Sequence, residues 1–282
     1  MYNLKKLITV ILSSLLIFGG VATFLYPSAS QWFTQKVESK AIDNLNGVMN
    51  QHTSSEFNNF REAANEYNDS IYRGLSTERF DYKNIIDTSG VGIIARVTIP
   101  SIKLDQTLKP TLDESVLQTG LGHLEGSSLP VGGVNTHAVI GGHRGLATAV
   151  GFTNLDKVSV GDDVIIESLG EALAYKVTKT EVVEPGEAQV QPIVDGKDIV
   201  TLITCTPIGL NTQRIVVTAE RLMPTPSYIE SGKSSELPGF PWWVVGMGAA
   251  GLISLTFIIR GIVLHVKFKK NSKLQEDSNV LA

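Results

Sequence analysis

The 282-residue chain predicts a mainly β domain, a sandwich or barrel, with helices before it and an apolar helix of membrane-spanning length at each end. Three observations give this class. Two uncharged apolar runs, Leu7 to Tyr26 and Phe240 to Ile259, lie near the termini. A proline-free stretch begins at Ser28 and carries apolar residues at three- and four-residue steps. From Gly90 onward, short β-branched runs alternate with clusters of Gly, Pro, Asn and Asp, the texture of an all-β sandwich or barrel.

The first run is long enough for the ~20 residues a helix needs to cross a bilayer. Lys5 and Lys6 precede it. Ser28-Ala29-Ser30 would suit a cleaved signal peptide, but such peptides have apolar cores of only about 7–15 residues, so an uncleaved anchor is expected. The second run opens with Pro241-Trp242-Trp243, and Trp favours the membrane interface. Arg260 interrupts it, Gly261 to Val266 resumes it, and Lys267, Lys269, Lys270 and Lys273 follow. Arg260 lies close enough to that end to snorkel toward the headgroups. Positive charge outside both spans puts the two termini in the cytoplasm and Pro27 to Leu237 on the far side. The polar tail after Lys273 is expected to be disordered.

Between the spans, Trp32 to Tyr72 reads as helix. Val37, Ala41, Leu45 and Val48 form one apolar stripe, and Phe57, Phe60, Ala64, Tyr67 and Ile71 another, with a break expected between Gly47 and Ser55. Such stripes favour packing on the following domain over a free stalk. Strands are then expected at Val91 to Ile99, Ile102 to Leu108, Thr136 to Ile140, Asp163 to Glu167, Leu173 to Val183, Ile199 to Cys205 and Gln213 to Glu220. Short helices are expected at Asp113 to Thr119 and near Phe152 to Leu155. The divisions are 1–27 (N-terminus and first span), 28–89 (helical leader), 90–225 (β domain), 226–239 (linker), 240–266 (second span) and 267–282 (basic tail).

The net charge of −4, with no basic stripe, argues against nucleic acid. Cys205 is the single cysteine, so no intrachain disulfide can form, and a leftover thiol in an exported chain points to a reactive group or to intermolecular pairing. Cys205 ends the run Thr201-Leu202-Ile203-Thr204-Cys205, a loop with Pro207, Gly209 and Asn211 follows, and Arg214 opens the next strand. If those strands pair, Arg214 comes within roughly 5 Å of Cys205 across the ladder. A guanidinium there can donate to an oxyanion formed by thiol attack on a carbonyl. Upstream, the strand Thr136 to Ile140 ends in Gly141-Gly142-His143-Arg144-Gly145, exposing His143 at a rim. Imidazole titrates near neutrality, which suits a general acid and base. His123, in a loop, and His137, in a strand body, compete with His143. Taken singly, a cysteine or histidine at a strand end is usually structural; the three together are far more specific. No zinc or nucleotide motif is present and no cofactor is expected.

At these residues the chain resembles the sortases, membrane-bound transpeptidases of Gram-positive bacteria. The motifs that carry the resemblance are Thr201 to Cys205, Gln213-Arg214-Ile215-Val216-Val217 and Gly142-His143-Arg144-Gly145, within about Gly90 to Leu222. Gly122 to Gly133, Thr136 to Leu146 and the second membrane span look like class C, the pilus-assembling sortases. The resemblance implies an eight-stranded β-barrel of sortase type. It implies that Cys205 attacks the Thr–Gly bond of an LPXTG-like sorting signal, with His143 as acid and base and Arg214 holding substrate and oxyanion. It implies that pilin subunits are the partners, and that a lysine of another subunit resolves the thioester into an isopeptide bond. Two other readings stay open: attachment of surface proteins to a cell-wall precursor, and a non-enzymatic membrane scaffold with Cys205 buried. One departure stands out. Many class C enzymes carry a lid marked by Asp-Pro-Trp or Asp-Pro-Phe, whereas Tyr72 to Asp87 has no proline and offers only Asp81-Tyr82 as a degenerate anchor. A lid of the usual kind is not expected.

Overall fold

The structure is a computed structural model and describes residues 4–82, 85, 87, 90, 92–188, 191–229, 232–235 and 238–280. It divides into two compact units, one of residues 1–32 with 239–282 and the other Phe33–Pro238.

The first unit holds the apolar part of α1 (Leu4–Met49) and α5 (Trp242–Val280), both long and apolar enough to cross a membrane. Gly246 lies against Leu25, Gly251 against Phe18 and Gly261 against Val10 and Leu7, so the helices run antiparallel with glycines at their contact. Small residues let helix backbones approach closely where lipid supplies no hydrophobic drive. Ser254 Oγ donates to Ser14 O, and Trp32 Nε1 to Gly239 O. Pro27 lies inside the first helix, where a proline removes one backbone bond without necessarily stopping the helix. One expectation needs correcting here. The tail after Lys273 continues α5 to Val280, no Gly or Pro interrupting the sequence after Gly261.

In the second unit, the remainder of α1 is followed by α2 (Ser54–Tyr72). The turn between them falls inside the expected break and is closed by a capping box: Glu56 N donates to Thr53 Oγ1, and Thr53 N to Glu56 Oε2. The α2 stripe is as read, with Ala64 and Tyr67 buried and Phe57, Phe60 and Ile71 packed on the core. The α1 stripe is rotated. Val37 is exposed, and the buried face is Glu38, Ser39, Ile42 and Leu45. The cause is Glu38, whose carboxylate accepts from Thr107 N (3.1 Å) and Thr107 Oγ1 (2.8 Å) and so can be buried.

Eight strands close a barrel in the order β1-β2-β3-β4-β7-β8-β6-β5. They are β1 (Ala95–Ile99), β2 (Leu104–Lys109), β3 (Leu121–His123), β4 (Thr136–Gly141), β5 (Asp163–Ser168), β6 (Glu171–Val183), β7 (Asp198–Thr206) and β8 (Gln213–Arg221). The short helix α3 (Glu114–Leu117) lies within its expected span, and a 3₁₀ turn at Leu155–Lys157 begins at the last residue of the second. A further turn of helix, α4 (Pro185–Ala188), packs against β8. Seven strands fall on the expected runs; β3, three residues long, is the one not anticipated. His123 is therefore a strand residue and not, as expected, a loop residue.

Val97, Ile99, Leu108, Leu121, Ile140, Val164, Ile166, Val200, Leu202 and Val217 fill the interior. Strand residues alternate faces, so the partners of interior Leu202 fix the outer face: His137, Val139 and Gly141 on β4, and Thr201, Ile203 and Cys205 on β7. Buried Arg96 of β1 bonds Asp105 and Glu167, while the linker residues Gly232 and Ser235 donate to Glu167 and Asp105. The linker is thereby tied to the barrel flank.

Candidate active site

Cys205 closes β7 and pairs directly with Arg214 of β8, which in turn pairs with Val183 of β6. The pairing is antiparallel and the intervening loop is short, so the sequence sets the two residues opposite each other without help from distant elements. Cys205 is half-buried. Arg214 Nη1 donates to Asn211 O (2.9 Å) and Gln213 O (3.0 Å), which bends the guanidinium over its own loop.

The histidine arrives on β4, parallel to β7. Gly141 pairs with Ile203, Gly142 N donates to Ile203 O (3.2 Å), and Thr204 Oγ1 donates to Gly142 O (2.7 Å). Continuing that register brings His143 level with Cys205 on the outer face. Gly142 is required at the crossing, since a Cβ there would meet Leu121 Cδ2 at 2.7 Å and Phe152 Cδ2 at 2.8 Å. Cys205, Arg214 and His143 thus converge at one rim of the barrel.

Three further residues hold this rim, and sequence reading passed over their roles. Arg144 donates from Nη1 to Thr206 Oγ1 (2.9 Å) and from Nε to Thr153 O (3.3 Å), and its Nη2 pairs with Asp156 at 2.7 Å. It bridges the residue after the histidine to the residue after the cysteine. Gly151, at φ +45, lies so close that an added Cβ would be 2.5 Å from His143 O, the same oxygen that accepts from Phe152 N (2.8 Å). Glu114 of α3 reaches His143 Nε2 at 3.2 Å and is itself steadied by Gln118. The Gln118 hydrogen bond, and then that of His143, hold the Glu114 carboxyl below its usual range. Arg144 stands beside His143 in the sequence, but only the fold reveals that it reaches Thr206.

The competing histidines are fully engaged elsewhere. His123 is wholly buried and faces the interior beside Ile140. Its Nε2–H donates to Ser128 O (2.8 Å), and its Nδ1 accepts from Tyr82 Oη. Burial lowers its pKa to about 4. His137 is buried on the outer face, at 2.7 Å from both Pro192 O and Thr201 Oγ1. Tyr82, the residue offered as a degenerate lid anchor, stacks on Tyr67 and bonds His123 on the opposite face of the sheet from Cys205. Residues 83, 84 and 86 of that segment lie outside the described residues.

Comparison with known proteins agrees with this architecture. A sortase-domain family model matches residues 97–222. Sortase C1 of Streptococcus agalactiae superposes with a TM-score of 0.63 at 36% identity, covering 66% of this chain and all (100%) of that one. A Clostridium perfringens sortase C solved with its C-terminal cell wall sorting motif gives 0.58 at 35% identity, covering 65% of this chain and 98% of that one. Sortase A of Bacillus anthracis is 29% identical over 129 residues, 45% of this chain and 59% of that protein. The chain spans less than two thirds of the curated relatives it matches. The chain belongs to the sortase family, within class C.

Proposed function

We propose that this protein is a membrane-held transpeptidase that cleaves an LPXTG-like sorting signal between Thr and Gly and joins the threonine carbonyl to a lysine amine of another pilin subunit. The thiolate of Cys205 attacks the threonine carbonyl, and the tetrahedral oxyanion is met by the Arg214 guanidinium. Collapse breaks the Thr–Gly bond as His143 delivers a proton to the departing glycine amine, leaving a thioester on Cys205. An incoming lysine amine attacks that thioester, gives its proton to His143 and releases the Cys205 thiolate. What carries the reading is the cross-strand register that sets Arg214 opposite Cys205 with β4 delivering His143 to the same level. A donor removed from an oxyanion site costs ~10²–10³ in rate.

Membrane attachment by both apolar helices fits this role, with the termini in the cytoplasm and the barrel outside. The antiparallel contact of α1 and α5 supports such a two-span arrangement. The test is to incubate the protein with a sorting-signal donor, a pilin bearing a candidate lysine and a cell-wall precursor amine, then map the product by peptide mass spectrometry. A Thr–Lys isopeptide that disappears with Cys205→Ala and falls by ~10²–10³ with Arg214→Ala is expected. Products joined only to a cell-wall precursor amine would replace the pilin reading.

A further inference from the structure

The outer face of β4, β7 and β8 is not uniformly open. Near Cys205 it is accessible, but two to four residues back along the strands Val139, Thr201 and Val216 are almost completely buried, although they point away from the barrel interior. The β6–β7 connection reaches this face at two points: α4, with Ala188 buried, packs on β8, and Pro192 O meets His137 Nδ1.

His137 is the joint between the two layers. Pro192 O is a carbonyl and can only accept, so His137 Nδ1 carries the proton and donates at 2.7 Å. A neutral imidazole then has Nε2 free to accept, and Thr201 Oγ1 stands at 2.7 Å to donate. Both ring nitrogens are thus committed, one to the connection and one to the strand that carries the nucleophile. Thr201 shares its face with Cys205 and lies four residues before it, ~13 Å along the strand. An extended Leu-Pro-X-Thr segment with its threonine at Cys205 spans about 10 Å from Thr to Leu. A signal lying along β7 would therefore have its Leu-Pro end against the connection that His137 secures.

We propose that His137 is a positioning residue, a strut that sets the wall of the sorting-signal groove by tying Pro192 of the β6–β7 connection to Thr201 of the nucleophile strand. The groove part of this inference rests on the transpeptidase reading; the strut itself does not. His137→Phe keeps an aromatic ring but removes both hydrogen bonds. His137→Asn keeps an N–H donor near the Nδ1 position and so can retain the bond to Pro192.

The experiment uses the full chain in detergent, with a sorting-signal peptide as donor. In His137→Phe, KM for the peptide rises about tenfold, kcat falls less than about threefold, and limited proteolysis within the β6–β7 connection accelerates about tenfold. His137→Asn restores KM and protease resistance to within about threefold of the native values. Unchanged KM and unchanged protection in His137→Phe would overturn the strut. So would a general loss, with Tm and active fraction falling, no selective cleavage of the connection and no rescue by Asn. If the native protein forms no thioester with any sorting peptide, the transpeptidase reading fails, while the proteolysis comparison still decides the strut.

Discussion

Replacing Gly151 with alanine perturbs the site without touching any of its reactive groups. The new Cβ would lie 2.5 Å from His143 O, where ordinary contact begins at 3.4 Å, so something must give by the difference, 0.9 Å. The clash is with backbone, not with the end of a flexible side chain, and Phe152 N already holds the same oxygen at 2.8 Å. The shift therefore passes into the His143 peptide. A misplacement of about 1 Å can cost ~10²-fold in rate when a reacting group must sit in a near-attack geometry. The left-handed φ of +45 adds about 1–2 kcal/mol of strain for a residue with a Cβ. Steady-state kinetics of Gly151→Ala in detergent, with Tm measured in parallel, should show kcat down about 10²-fold, KM changed much less, and a folded protein at the assay temperature. Native kcat in a folded Gly151→Ala protein would refute the argument that this turn fixes the histidine, as would a loss accounted for entirely by unfolding.

Arg144→Ala severs the bridge between Thr206, Thr153 and Asp156; kcat is expected to fall more than tenfold, with a stability loss of about 1–3 kcal/mol. Arg144→Lys should recover little, because one ammonium cannot span three partners held by a planar guanidinium; full recovery would contradict the bridge. His123 gives a pH prediction. Its folded pKa of about 4 lies below the ordinary 6.5, so the unfolded chain binds the extra proton and stability is lost as pH falls through that window. At 1.36 kcal/mol per unit the 2.5-unit gap amounts to about 3 kcal/mol. Denaturation curves from pH 6.5 to 4 should therefore be steeper for the native protein than for His123→Gln, and equal slopes would refute it. Glu38, raised by burial, has the opposite sign, its contribution declining as pH rises through its own titration.

Much of this architecture is legible in the sequence because the decisive signals are local. Two alternating runs separated by a Pro-, Gly- and Asn-bearing loop almost force a hairpin, and that hairpin sets Arg214 against Cys205. A strand that ends in two glycines announces a crowded crossing, and Gly142 meets Leu121 and Phe152 there. What stays hidden depends on contacts between distant segments. A glutamate on an amphipathic helix reads as solvent-facing, yet Glu38 is buried because Thr107, 69 residues away, donates to it twice. Three residues of β3 are too few to show a period, so His123 reads as loop. Tyr82 looks like the remnant of a lid motif, but its partners Tyr67 and His123 come from elements separated in sequence and draw it to the other face. Arg144, Gly151 and Glu114 escape for the same reason: nothing in the sequence says that they meet the backbone or side chains around His143 and Cys205.

Transpeptidation by this protein requires a covalent intermediate at one atom, Cys205 Sγ. Intact-mass spectrometry of the full chain, quenched in acid after brief incubation with an LPXTG-type peptide, reads it directly. The expected result is a mass increase equal to the peptide acyl group ending in threonine, located on Cys205, discharged by hydroxylamine and absent in Cys205→Ala. A peptide cleaved at the same rate by Cys205→Ala, or an adduct on any other residue, would contradict it.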